Sequence, residues 1–437
     1  MKKYPVLFFA LAAVFFACSS PTGGGGGGSV SDGSGGSGGG RGGSRKHAIL
    51  YVTPEGAGTK DGSSWDNASS DIQEMIDDAD GRGAQIWVAA GVYKPAHIPE
   101  EASTDSRHRT FWLKPKVRIY GGFSGDGTED GLGERDWENN KTILSGDFNN
   151  NDGGNAIDGF IGMDENAYHV VLALGIPDDE QTILDGFTIT GGNANGDEST
   201  ISVGVHLVKS SWSGGVVNWQ SSPVLTNVTI SGNQAGDSGG GGMSNAFSSS
   251  PVLTNVIVSN NRADFGGGMF NWGDCSPVLT NVVISGNQAS FGGGIFNSSS
   301  SPVLTNVTIS GNQAGDGGGM YNWNNSAPEI RNSIIWDNGT GVTNNVSTPS
   351  TPSYEYSLVE GGVLGGVNGN LAGTTDPQFV NSSIGDYRLK YESLARNAGT
   401  IAFYKEGKSP DLSGITTDLD GNPRTTGVKI DMGAYQY

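Results

Sequence analysis

The sequence predicts an all-β protein: a single-stranded parallel β-helix with about three strands per rung and a short N-terminal capping helix. Three observations predict it. Near copies of "SPVLTNVTISGNQAGDGGGMYN" (301–322) recur upstream, with Pro223, Pro251, Pro277, Pro302 and Pro328 at intervals of 28, 26, 25 and 26 residues. A period of that length marks a stack of identical units. Glycine supplies 73 of 437 residues, more than twice its usual ~7% share, as a chain with frequent corners requires. Lastly, Leu304, Val307 and Ile309 are all apolar although 304 to 307 is an odd step. One straight strand cannot point both inward, so a bend must intervene. Asn306 occupies it, and Asn tolerates left-handed backbone angles. The run Gly317–Gly319 makes the next corner; Met320 then points in, Tyr321 out and Asn322 in.

Taken in order, residues 1–17 read as an export signal: Met1-Lys2-Lys3, then a mostly apolar run from Tyr4 to Ala17 that is too short to span a bilayer. Residues 18–47 are a Gly/Ser-rich tether that cannot build a core and reaches about 30 Å as a flexible coil. "AILYV" (48–52) is the first strand. "SSDIQEMIDDADGRG" (69–83) is the capping helix, with Ser70 as N-cap, Ile72, Met75 and Ile76 on one face and Gly81 as stop. Strands follow at 84–93, 117–123, 141–148, 168–174 and 182–193. The β-helix covers 48–360, with near-identical rungs at 213–340; residues 361–437 are expected to add terminal rungs and a C-terminal cap. Roughly a dozen rungs of ~26 residues are expected, ~4.8 Å apart.

Columns follow from the copies. Leu225, Leu253, Leu279, Leu304 and Ile330 form one; Ile230, Val258, Ile284, Ile309 and Ile335 a second; Met243, Met269, Ile295 and Met320 a third. Burying each such side chain contributes ~1.5–3 kcal/mol. Asn227, Asn255, Asn281, Asn306 and Asn332 are expected to stack at one bend as a structural ladder. Asn233, Asn261, Asn287, Asn312 and Asn338 stack at another. Asn218, Asn245, Asn271, Asn297 and Asn322 make a third row. Stacked amides can bond along the axis.

Charge narrows the function. With 25 basic and 45 acidic residues the formal net charge is −20, which excludes nucleic acid and electrostatic docking on anionic lipid. Two cysteines leave no disulfide framework. Cys275 falls where the other copies carry Ser221, Ser249, Ser300 and Ser326, so it reads as a small-residue substitution. Between Pro223 and Pro328 there is one basic residue, Arg262, and no histidine. No catalytic residues and no metal are assigned there. The weak calcium candidates are Asp237, Asp264 and Asp316, read first as solvated loop acids. "SRHRTFWLKPK" (106–116) gathers Arg107, His108, Arg109, Lys114 and Lys116 as either a basic patch or an exposed loop. The surface that points to binding is aromatic: Phe270, Phe296 and Tyr321 outward of the Met column, and Trp219, Trp272 and Trp323 just past the third Asn row. They either stack sugar rings or pack on one another.

Some stretches resemble known families. "FFAC" (15–18) resembles a bacterial lipobox, with Phe15 where Leu is usual; this implies cleavage before Cys18 and its acylation, palmitate included. The alternative is an ordinary signal peptide with a chance cysteine. "NVTISGNQAGDGGGMYN" is similar to right-handed parallel β-helix surface repeats, including those of chlamydial polymorphic outer-membrane proteins, although Ile replaces the Phe of FxxN. "DGSSWDNASSDIQEMID" (61–77), "IWVAAGVYKP" (86–95), "IYGGFSG" (119–125), "TILDGFTITGGN" (182–193), "DPQFVN" (376–381), "DYRL" (386–389), "DLDGNPR" (418–424) and "DMGAYQY" (431–437) resemble the secreted pectate-lyase-like proteins of the choice-of-anchor Q group. That resemblance implies fold and a bacterial outer-membrane location, and no agreed activity. The expectation is a lipid-anchored cell-surface protein that binds carbohydrate or another surface macromolecule, adhesin-like and without catalysis or cofactor. The alternatives are a polysaccharide lyase or glycoside hydrolase with its site in rungs 100–200, and a structural spacer.

Overall fold

In a computed structural model, the described residues are 48–437, apart from 100–102, 198–199, 237–238, 345–348, 363–364 and 425–428. The signal, Cys18 and the tether lie outside them. The β-helix is present. Its first wall stacks Leu50, Ile86, Ile119, Leu184, Leu225, Leu253, Leu279, Leu304, Ile330 and Tyr354 in parallel register. The second stacks Tyr93, Leu144, Ile189, Ile230, Val258, Ile284, Ile309, Ile335 and Val359. The third runs from Phe111 through Val171, Val216, Met243, Met269, Ile295 and Met320 to Val342. These columns meet in one apolar core from Leu50 to Val359.

The bend is as the parity of the copies requires. Asn227, Asn255, Asn281, Asn306 and Asn332 hold φ between +47° and +55°, a region other residues enter at a cost. Ladder bonding continues across the bend, so Val252–Ser259, Val278–Ser285 and Val303–Ser310 each form a single bent strand. The second Asn row differs from expectation. The left-handed residue is one position earlier (Gly232, Asn260, Gly286, Gly311 and Asp337). Asn233 to Asn338 therefore point inside the corner and are fully buried. A short fourth segment, Gln288–Phe291 paired with Gln313–Asp316, fills the gap before the glycine run.

The glycine run has a steric reason. A Cβ on Gly241, Gly267 or Gly293 would lie 2.5–2.6 Å from a carbonyl oxygen of the next rung, and on Gly242, Gly268 or Gly294 2.5–2.7 Å. At ~4.8 Å between rungs, only glycine lets this corner repeat.

Both ends are finished. The helix Ile72–Ala79 is capped by Asp71, one residue after the expected Ser70, because the Asp71 carboxylate accepts from the Glu74 backbone N–H (3.1 Å). Ile72, Met75 and Ile76 are buried. Gln73 completes the open edge of the third wall: its Nε2 donates to Trp112 O (3.2 Å) and its Oε1 accepts from Trp112 N (2.8 Å). This blunts an edge that would otherwise recruit another strand.

Residues 361–437 differ from the expected terminal rungs, while 368–371 cover the last one: Tyr356 N–H donates to Asn368 O (2.9 Å), Leu371 N–H to Ser357 O (3.0 Å) and Asn370 Nδ2 to Tyr354 O (2.9 Å). Among the described residues they add no strand to the parallel walls. Phe379–Asn381 and Asp386–Leu389 pair antiparallel, and the segment folds back along the outside of the bend. Asn281 Nδ2 donates to Thr417 O (2.7 Å), Asn306 Nδ2 to Asp431 O and Gly433 O (2.8 and 3.0 Å), and Asn332 Nδ2 to Thr400 O (2.9 Å). Phe379, Tyr387, Leu389, Met432 and Ala434 pack on Val283, Ile334 and Leu358, which face outward from the second wall. The parallel stack is accordingly ten positions deep at its first column, rather than a dozen.

Gly293→Ala should cost roughly 1–3 kcal/mol or more, the usual penalty of overpacking, read by denaturant unfolding. A loss near zero would show that the corner has slack the geometry denies.

Candidate functional site

Both outward columns of the third wall are aromatic, but not as one strip. Phe270, Phe296 and Tyr321 occupy consecutive rungs and stack at centroid separations of 5.5 and 5.3 Å. A second row that the sequence reading missed, Phe265 and Phe291, stacks at 5.7 Å and meets the first edge-on, Phe265 on Phe296 and Phe291 on Tyr321. The signal for it was available: both phenylalanines stand just before the glycine run. Phe296 is only 5% exposed, so this double row seals the glycine corner.

The tryptophans lie in the neighbouring column, at every other rung: Trp219, Ala246, Trp272, Ser298, Trp323. They are therefore not on consecutive rungs. Trp219 is half-buried, stacked on Trp212 (4.4 Å) and touched by Phe247 (4.1 Å). The antiparallel hairpin Thr200–Val203/His206–Lys209 packs Ile201, Val203 and Val208 over this upstream part of the wall. Phe247 fills the step from Trp219 to Trp272. Between Trp272 and Trp323 the column holds only Ser298, whose shielded hydroxyl has no hydrogen-bond partner. Trp323 is 43% exposed. The two indoles stand ~9.6 Å apart along the axis, two rungs of ~4.8 Å.

The remaining sequence candidates separate. Asp237 lies outside the described residues. Asp264 and Asp316 are exposed and belong to different columns, since Asp316 follows Phe265 and Phe291 in register. Among the described residues, no group of three or more His, Cys, Asp or Glu side chains is placed to hold a metal. The basic stretch 106–116 does not form a patch. Arg107 turns inward to Asn166 O and Asn193 O (2.7 and 2.8 Å), His108 is buried, Lys114 lies over Trp112, and Lys116 pairs with Glu180 (2.7 Å). Arg262 donates to Ala156 O (3.2 Å) and so clips the hairpin Gly153–Asn155/Gly159–Ile161 to the stack. "DLDGN" closes a turn, Asp418 accepting from the Asn422 N–H (2.6 Å).

The bend ladder is real but interrupted. Asn227 Nδ2 donates to Asp185 (2.9 Å), Asn255 to Asn227 (3.3 Å), Asn281 to Asn255 (3.1 Å) and Asn332 to Asn306 (3.2 Å). Asn281 Oδ1 is left without a partner, because Asn306 gives its amide to the C-terminal segment instead. Asp185 carries the ladder into a buried ion pair with Arg135 (3.0 Å).

Cys275 sits in the serine column. Backbone N–H groups there donate to the hydroxyl one rung on: Ser221 to Ser249, Cys275 to Ser300, Ser300 to Ser326 and Ser326 to Ser350, at 3.1–3.2 Å. Burial pushes the thiol up to about 11. Since the thiolate is the nucleophile, Cys275 should resist Ellman's reagent at pH 8 until the protein is unfolded, and Cys275→Ser should keep native stability within about 0.5 kcal/mol. Fast labelling of the folded protein would contradict this placement.

No family model matches the chain, and no curated protein matches it in sequence. Among solved structures it is similar to the crystal structure of pectate lyase Pel9A, with TM-score 0.38 and 11% identity over 89% of this chain and 96% of that one. A likeness that low carries nothing about activity, and the parallel ladders themselves establish the β-helix.

Proposed function

We propose that this protein is held at a bacterial cell surface by a lipid on Cys18 and binds an extended, neutral glycan along the third wall, without cleaving it. The observation that carries the reading is the pair Trp272 and Trp323: one column, two rungs apart, with a small polar residue between them. A pyranose presents a face of C–H bonds that suits an indole, and two rungs match the advance of a disaccharide in an extended chain. Phe270, Phe296 and Tyr321 flank them and hold the backbone of that wall rigid. Trp219 belongs to the packing beneath the upstream hairpin. A net charge of −20 disfavours acidic polysaccharides, and no basic cluster at 106–116 offsets it. The one basic residue between Pro223 and Pro328, Arg262, is held by Ala156 O, which leaves it poorly placed for proton abstraction. The lipid rests on the sequence alone: a basic start, a short apolar run and Cys18.

A glycan array followed by titration tests the binding. Trp272→Ala and Trp323→Ala are each expected to weaken binding roughly tenfold, ~1.4 kcal/mol, whereas Trp219→Ala should lower stability and leave affinity near that of the parent. Equal binding by all three variants would refute the tryptophan pair, and release of unsaturated sugars from a polysaccharide would refute a non-catalytic role. Labelled palmitate should enter the parent and not Cys18→Ala when each is produced in a bacterium that acylates lipoproteins; label in both would place the lipid elsewhere.

A further inference from the structure

Beyond the aromatic wall, three acids, Asp147, Asp152 and Glu165, gather where the chain leaves the strand Thr142–Ser145. Asp147 is occupied within its own turn. Its Oδ1 accepts from the N–H groups of Asn149, Asn150 and Asn151 (3.1, 2.6 and 3.4 Å), and its Oδ2 from that of Asp152 (3.3 Å). The other two are less satisfied. Asp152 Oδ2 accepts from Asn166 Nδ2 (2.8 Å), which also donates to Gly191 O (2.7 Å). Asn166 is fully buried, yet its Oδ1 has no hydrogen-bond partner, and neither has the shielded Oε1 of the adjacent Glu165. Buried acceptors without donors cost free energy and are uncommon in folded proteins.

The charge around them is mainly negative, although Arg107 Nε donates to the Asn166 backbone carbonyl (2.7 Å). Asp152 is pushed up to about 6, by desolvation first and then by Asp147 and Glu165; the Asn166 bond and Lys94 act the other way. Lys94 itself is drawn off to Phe148 O (2.9 Å). Two lone acceptors in a negative field call for a cation. The available donors are all oxygen, which suits a hard ion such as calcium and not zinc or copper. Asp152 is open to solvent, so an ion has a way in.

We propose that Asp152, Glu165 and the amide oxygen of Asn166 bind a calcium ion that fastens the 147–166 loop to the turn at Gly191. With two carboxylates and one amide, water completes the shell. The affinity belongs with extracellular calcium modules, on the order of 10⁻⁴–10⁻³ M. The site is independent of the glycan reading and of Asp264 and Asp316.

The test uses the full chain, freed of metal with EDTA and titrated with calcium chloride by calorimetry, with thermal unfolding in parallel. The expected result is one ion per chain at that affinity and an unfolding temperature that rises with calcium. Glu165→Gln should weaken binding at least tenfold, and the exposed Asp152→Asn should do the same if the first variant is unstable. Asp264→Asn combined with Asp316→Asn should bind as the parent does. Absence of both heat and thermal shift in the parent, or unchanged binding in Glu165→Gln and Asp152→Asn, would overturn the site.

Discussion

Each buried asparagine from Asn233 to Asn312 donates its side-chain amide to the carbonyl of the asparagine one rung on, at 2.9–3.1 Å. The same amides donate to backbone carbonyls of the preceding rung, Asn261 to Ile230, Asn287 to Val258 and Asn312 to Ile284. Each Oδ1 from Asn261 to Asn338 also accepts the backbone N–H of the asparagine before it. Inside an apolar core these groups have no water to fall back on, so satisfying them fixes the spacing and register of successive rungs. The glycine corner depends on that spacing, because carbonyls of one rung occupy the place of a Cβ in the next. The third row works alike: Asn218 to Asn344 are joined at 2.8–2.9 Å. It ends at Asn218, whose Oδ1 is unpaired because Ala173 stands in the rung before.

This arrangement explains what could be read from the sequence. A side chain that touches its own copy imposes the same requirement on every rung, so the columns Leu225 to Ile330 and Ile230 to Ile335, and the left-handed Asn306, were visible as repeated letters. Features made once leave no such trace. The C-terminal segment meets the stack through Thr400, Thr417, Asp431 and Gly433, and all four of these contacts use backbone carbonyls that any residue supplies. One sign of it was present: Ile257, Val283 and Ile334 point outward from the second wall, where solvent would favour polar residues. The alternation of Trp219, Ala246, Trp272, Ser298 and Trp323 was also present as letters. It becomes a spacing only when the register is known, because the rungs differ in length. The lone acceptors of Glu165 and Asn166 belong to an irregular loop, and no periodicity points to them.

Which wall can meet a ligand follows from what already covers the others. The outer face of the second wall is occupied from Val283 to Leu358 by the C-terminal segment. The upstream third wall is covered by the hairpin that rests on Leu172, Leu174 and Val217. Both covers are apolar contacts within the chain, so exposing those faces would cost burial energy that a ligand would have to replace. Among the described residues, the downstream third wall carries no such cover. Its Phe and Tyr rows stack on each other, and in the neighbouring column Trp272 is half-buried beside Phe247 while Trp323 is 43% exposed. A surface of this kind is rigid before binding, since its spacing is set by the asparagine ladder behind it. Little ordering cost then falls on the protein when a ligand docks.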